Sequence, residues 1–158
     1  MEKTLEEKKK LAAKVIAALK KEYPDADCTL DYNEAWKLLV SVRLAAQCTD
    51  ARVNQITPKL FAAYPTLESL AAADIADLED IVRPCGFFHM KAKSIKEMSA
   101  QLILNFGGVV PDNMEDLLSL SGVGRKTANL ILGDVYGKPA IVADTHFIRI
   151  TGRLGLTK

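Results

Sequence analysis

The sequence predicts an all-α fold. Three observations carry that expectation. Apolar residues recur at helical spacing from one end of the 158-residue chain to the other, N-cap residue types stand ahead of those stripes, and no alternating pattern is long enough for a strand. Ala140-Ile141-Val142 is a short apolar run of extended character, too brief to count as a strand.

Thr4 with Glu7 forms a capping box, and Leu11, Val15, Ile16 and Leu19 give an apolar stripe that runs to Glu22. Lys8 to Lys10, Lys20 and Lys21 lie around it, as a solvated face or, alternatively, a nucleic-acid patch. Asp31 and Glu34 form a second capping signature ahead of a helix from Trp36 to Ala46. Thr49-Asp50 opens a third helix on Val53, Ile56, Leu60 and Phe61, with Pro58 inside it; Pro58 should kink that helix or split it. Shorter helices are expected at 67–73, 75–83, 91–105 and 113–119, with Gly107-Gly108 and Pro111 punctuating the last two. Ser121-Gly122-Val123-Gly124 then turns the chain. Arg125 to Val135 restarts as a helix on Ala128, Ile131, Leu132 and Val135, and a last helix follows Asp144 over 145–154.

A chain of this length makes one domain or two small lobes, enough for a real core. Apolar content of 49% and aromatic content of 6% are ordinary for a soluble helical protein. No apolar run approaches membrane-spanning length and MEKTLEEKKK is no secretion signal, so the expected compartment is the cytoplasm. Net charge is only +1, but residues 1–85 hold 12 basic and 14 acidic side chains, whereas residues 86–158 hold 9 and 6. The positive excess therefore lies with the Gly122–Gly124 turn. Cys28, Cys48 and Cys85 are odd in number and lack C-x-x-C spacing, which argues for buried thiols and against disulfides or a metal site.

Glycines permit positive φ and close backbone approach. The first N–H groups of the helix at Arg125 lack intrahelical partners and sit at the positive end of its dipole. Gly122, Val123, Gly124, Arg125 and Thr127 thus form a cradle a phosphate could approach, the arrangement of a helix-hairpin-helix; the plainer reading is an αα-corner with a Gly-x-Gly turn. Lys126 reads as a solvated side chain or as an amine nucleophile, since the dipole and Arg125 both disfavour an ammonium there. Asp144 reads as an ordinary N-cap that could also serve a reaction centre. A helix over 126–136 carries the chain about 15 Å away at ~1.5 Å per residue, and 137–143 could span about 23 Å at ~3.3 Å per residue. A return to Lys126 is allowed.

The stretch LSGVGRKTANLILGDVYGKPAIVADTHFIRI at 120–150 closely resembles the endonuclease III family of DNA glycosylases. The resemblance extends back through LVSVRLAAQCTD at 39–50 and GFFHMKA at 86–92, and so runs from about residue 10 to the end. It implies a helix-hairpin-helix glycosylase fold, with a six-helix bundle at 27–138 and a second lobe built from 1–26 and 139–158. DNA would lie in the cleft between them.

The resemblance makes Lys126 the nucleophile at C1′ of a damaged nucleotide and Asp144 its assisting carboxylate. Lys126 also implies the bifunctional class, because related adenine glycosylases lack a lysine there. Gln47 matches the family's wedge glutamine and Phe87 its apolar wedge, against plainer readings as a helix-end polar residue and a core aromatic. The implied activity removes oxidised pyrimidines and nicks the strand by β-elimination, acting on double-stranded DNA with a damaged base or abasic site, as a monomer. His89 and Met90 depart from the usual polar pair on their loop, and His146 reads as structural.

Most relatives carry a four-iron four-sulfur cluster on four cysteines well beyond the aspartate. None of the three cysteines here falls in that loop, so no cofactor is expected in this chain and the second lobe is expected to be truncated. An incompletely covered apolar stripe would follow, with lower stability or self-association. Two alternatives remain open: a helix-hairpin-helix fragment that binds DNA with impaired chemistry, and a glycosylase for another lesion class.

Overall fold

The computed structural model describes residues 3–157. It is all-α: nine α-helices and a 3-10 turn, with no strand among the described residues. They are α1 (Leu5–Glu22), α2 (Ala35–Ala45), α3 (Asp50–Ala63), α4 (Leu67–Ala71), α5 (Ile75–Val82), the 3-10 turn (Arg83–Cys85), α6 (Phe88–Phe106), α7 (Met114–Ser119), α8 (Arg125–Asp134) and α9 (Thr145–Leu154). The chain parts into two compact units, Thr29–Ile141 and Met1–Cys28 with Val142–Lys158.

The larger unit is organised on α6, which packs against α2, α4 and α5, while α2 also contacts α3 and α8. Leu38, Leu39, Val40 and Leu44 of α2 meet Val53 and Leu60 of α3, Ile95, Met98 and Leu102 of α6 and Ile131 of α8 in a core closed to solvent. Each such side chain contributes about 1.5–3 kcal/mol by leaving water. α7 packs on α8, so the turn between them is held from both sides. The chain between α8 and Ile141 is tied down as well: the Tyr136 hydroxyl donates to Val110 O, and Lys138 Nζ reaches the Asp112 carboxylate at 2.7 Å.

Three local expectations are corrected. Asp31 and Glu34 do not cap α2 with their side chains: Glu34 is the N-cap residue, but its carboxylate goes to Lys37 at 2.6 Å and to Trp36 Nε1 at 3.0 Å. Pro58 does not split α3, which runs through it unbroken. Pro58 is exposed while Val53, Ile56, Thr57 and Leu60 are buried, so packing on one face holds the helix across the missing N–H. α6 begins at Phe88 rather than residue 91, because Phe87 enters it in a left-handed conformation, φ +46°. Pro58→Ala should raise unfolding stability by about 2 kcal/mol, since the interior-helix penalty of ~3 kcal/mol exceeds the ~1 kcal/mol proline gains from a stiffer unfolded chain. Urea denaturation followed by circular dichroism checks this.

In the smaller unit the Thr4–Glu7 capping box forms, with Glu7 N–H on Thr4 Oγ1 at 3.3 Å and Thr4 N–H on Glu7 Oε2 at 2.7 Å. No residue of α1 is buried; Ile16 and Leu19 of its stripe are half in solvent, as are Ile148 and Ile150 of α9. Lys3 Nζ donates to Leu154 O at 3.4 Å, tying the start of α1 to the end of α9.

Candidate active site and nucleic-acid interface

The turn between α7 and α8 is pinned from beneath. Leu117, Leu120 and Val123 bury their side chains, Ser121 N–H donates to Gln101 Oε1 at 2.7 Å, and Ser121 Oγ donates to Glu97 at 2.8 Å. Gly122 turns the chain at φ +74°. Its Cα lies directly over Arg43: a Cβ there would stand 2.7 Å from Arg43 Nε and 2.9 Å from Arg43 Cδ. Arg43 is held in place by its Nε bond to Ser94 Oγ at 2.6 Å, and burial lowers the pKa of its guanidinium. Gly124 is the N-cap of α8 and faces open space.

No side chain caps α8. The first helical bond at its N-terminus runs from Ala128 N–H to Gly124 O at 2.9 Å, and the N–H groups of Arg125, Lys126 and Thr127 have no acceptor among the described residues. Val123 is tucked inward while Gly122, Gly124, Arg125 and Lys126 are exposed, so bare donors, the positive helix end and two cations share one solvent-facing turn. That turn can bind an anion such as a phosphate oxygen. Lys126 is absent from the ion pairs and hydrogen bonds of the described residues, which leaves its amine accessible.

Asp144 lies in the smaller unit. It is the N-cap of α9, and its Oδ1 accepts from Phe147 N–H at 2.7 Å, which fixes the carboxylate. Asp144→Ala should cost about 1 kcal/mol of stability and Asp144→Asn only a few tenths, because asparagine caps as well as aspartate does. Paired thermal melts would show the difference. His146 is exposed beside Arg149, its Nδ1 3.1 Å from the guanidinium.

Gln47 and Phe87 occupy two loops of the larger unit. Both are exposed, and they are the non-glycine residues with positive φ among the described residues, +55° and +46°. Strained backbone of this kind persists only where the surroundings impose it. His89 pairs with Glu79 at 2.8 Å, and Met90 projects into solvent.

Arg43, Ser94 and Lys91 were not singled out by sequence reasoning. A signal existed for Lys91: it falls in register with Ile95, Met98 and Leu102 on the buried stripe of α6. Lys91 is only 1% exposed.

Burial, together with the neighbouring Cys48, pushes the Cys85 thiol up to about 11, so it stays protonated at neutral pH. Cys28 belongs to the other unit, and no cluster of metal-ligating side chains occurs among the described residues. A four-iron four-sulfur cluster takes four thiolates. Three cysteines divided between two units do not fit it.

Residues 40–158 match the family described as HhH-GPD superfamily base excision DNA repair protein. The chain is 47% identical to endonuclease III of Synechocystis sp. over 96% of its length, covering 69% of that protein. It is 40% identical to endonuclease III of Bacillus subtilis over 86% of its length, covering 62% of that protein. It thus spans between three fifths and seven tenths of these two relatives. Among solved structures, a non-covalent endonuclease III–DNA complex superposes with a TM-score of 0.88 at 39% identity, covering 96% of this chain and 70% of that one. A trapped endonuclease III–DNA covalent intermediate superposes equally well. No helix among the described residues is long and apolar enough to cross a membrane.

Proposed function

The chain belongs to the HhH-GPD superfamily of base excision DNA repair proteins and, within it, to the endonuclease III family; on that premise we propose that it removes oxidised pyrimidines from duplex DNA and nicks the strand at the same nucleotide. The observation that carries the reading is the first turn of α8, which carries both unpaired backbone donors and an exposed lysine, Lys126.

The hairpin N–H groups take a phosphate and fix the register of the strand without reading sequence. The damaged nucleotide leaves the stack at a cost of a few kcal/mol, and Gln47 and Phe87 fill the space it vacates. The Lys126 amine donates its electron pair to C1′. The C1′–N bond breaks, the base departs with a proton, and opening of the sugar ring leaves an iminium. Asp144 stabilises the positive charge that develops on the sugar or takes a proton from the attacking amine. The iminium acidifies C2′; loss of that proton expels the 3′ phosphate, and water then releases the lysine. Apart from the flip itself, this chemistry needs only an amine, a carboxylate and anion-binding donors.

The test is borohydride trapping on a duplex carrying one abasic site. A covalent adduct on Lys126 supports the reading. Binding without an adduct would favour a DNA-binding protein with impaired chemistry. A panel of alkylated, mismatched and oxidised bases then decides the lesion class.

A further inference from the structure

The exposed residues Gln47 and Phe87 sit on separate loops 40 positions apart in sequence, yet one buried side chain holds both loops. Lys91 Nζ donates to Leu44 O at 2.8 Å and to Cys85 O at 2.7 Å. Leu44 lies in the last turn of α2, where carbonyls run out of helical partners. Cys48 N–H turns back to Ala45 O at 3.0 Å, closing a turn around Gln47. The Lys91 amine takes the preceding carbonyl and stands at the negative end of the α2 dipole. Cys85 O ends the 3-10 turn that delivers Gly86 and Phe87, and Lys91 N–H itself donates to Phe87 O at 3.1 Å. No carboxylate pairs with Lys91 among the described residues.

We infer that Lys91 is a positioning residue: its buried amine clamps the Gln47 loop to the Phe87 loop, so that the two side chains enter the DNA stack as one rigid wedge. A buried lysine costs desolvation and is an odd choice for stability alone. Here its donors meet two carbonyls that helix termini leave unpaired, next to the two strained residues that need external support. The inference rests on the DNA reading above and assigns to it a residue that touches neither substrate nor reacting atoms.

The measurement isolates base extrusion from chemistry. In Lys126→Gln protein, 2-aminopurine placed beside an oxidised pyrimidine in a duplex brightens when the nucleotide leaves the stack. Adding Lys91→Met, which keeps the buried volume, should lower the fraction extruded in the bound complex at least tenfold, as Gln47→Ala and Phe87→Ala should. Borohydride trapping of a single-stranded abasic oligonucleotide by Lys91→Met protein should change less than twofold, because no stack has to be opened. Lys91→Gln, with a shorter donor, should fall between and serves if Lys91→Met does not fold. Undiminished extrusion, or equal loss on duplex extrusion and single-strand trapping, overturns the clamp. Wild-type protein that binds and extrudes but never traps sinks the lyase reading and leaves the clamp standing; absence of any DNA binding takes both down.

Discussion

Lys126→Gln loses the borohydride adduct and slows strand nicking on the order of 10³-fold or more, a barrier increase of about 4 kcal/mol at ~1.4 kcal/mol per decade. Glutamine keeps the length and polarity of the side chain but has no lone pair able to form an imine. The substitution lies in the exposed first turn of α8, where it empties no buried volume, so melting should stay within about 0.5 kcal/mol of wild type. Affinity for an abasic duplex should persist, because the bare N–H groups of Arg125 and Thr127 remain in place. Losing one cation from the interface should reduce the salt slope of binding by about one. Gel analysis of trapping and fluorescence anisotropy at several salt concentrations separate these effects. Binding that disappears together with nicking would make Lys126 a phosphate contact rather than a nucleophile. Asp144→Asn complements the experiment: it keeps the α9 cap and removes only the charge, so slowed nicking with an unchanged melt assigns the carboxylate a chemical role.

The all-α architecture was legible in the sequence because caps and apolar stripes agree along most of it, as Thr4–Glu7 and the Ile95–Leu102 stripe illustrate. The hairpin was legible for a related reason: glycines, cations and a restarting apolar period are local signals. Three features were not local. Pro58 inside α3 carries a real local penalty, and tertiary burial of Val53, Ile56 and Leu60 overrides it. Asp31 and Glu34 have the composition of a cap, but Trp36 and Lys37 compete for the Glu34 carboxylate. Phe87 reads as a core aromatic on pattern alone, yet it is 64% exposed, held out by a left-handed backbone that no sequence period encodes. The support beneath the candidate site was equally hidden. Arg43 and Lys91 resemble surface cations in composition, and only their positions on faces that α2 and α6 turn inward reveal that they buttress the hairpin and the wedge loops.

Gly122→Ala should be the most damaging single methyl group in this chain. Its φ of +74° costs an alanine about 1 kcal/mol or more. The new Cβ also meets Arg43 Nε at 2.7 Å, Arg43 Cδ at 2.9 Å and Ser94 Cβ at 3.1 Å. Arg43 cannot swing away freely, because Nε is bonded to Ser94 Oγ and its stem is half-buried. The turn must lift, which breaks the Ser121 contacts to Gln101 and Glu97 and tilts the α8 donors out of register. A stability loss of about 2–4 kcal/mol is expected, with DNA affinity falling about tenfold or more for every sequence and lesion alike, since backbone contacts carry no sequence information. Gly124→Ala isolates the functional part. Its φ is −102° and a Cβ there meets nothing, so the fold should hold while the methyl group stands among the exposed N–H donors and weakens binding. Arg43→Ala combined with Gly122→Ala should recover the steric share of the stability loss and leave the share due to positive φ. Unchanged affinity in both glycine variants would remove the hairpin from the DNA interface altogether; loss of affinity in Gly124→Ala with an intact melt would mark those N–H groups as the contact.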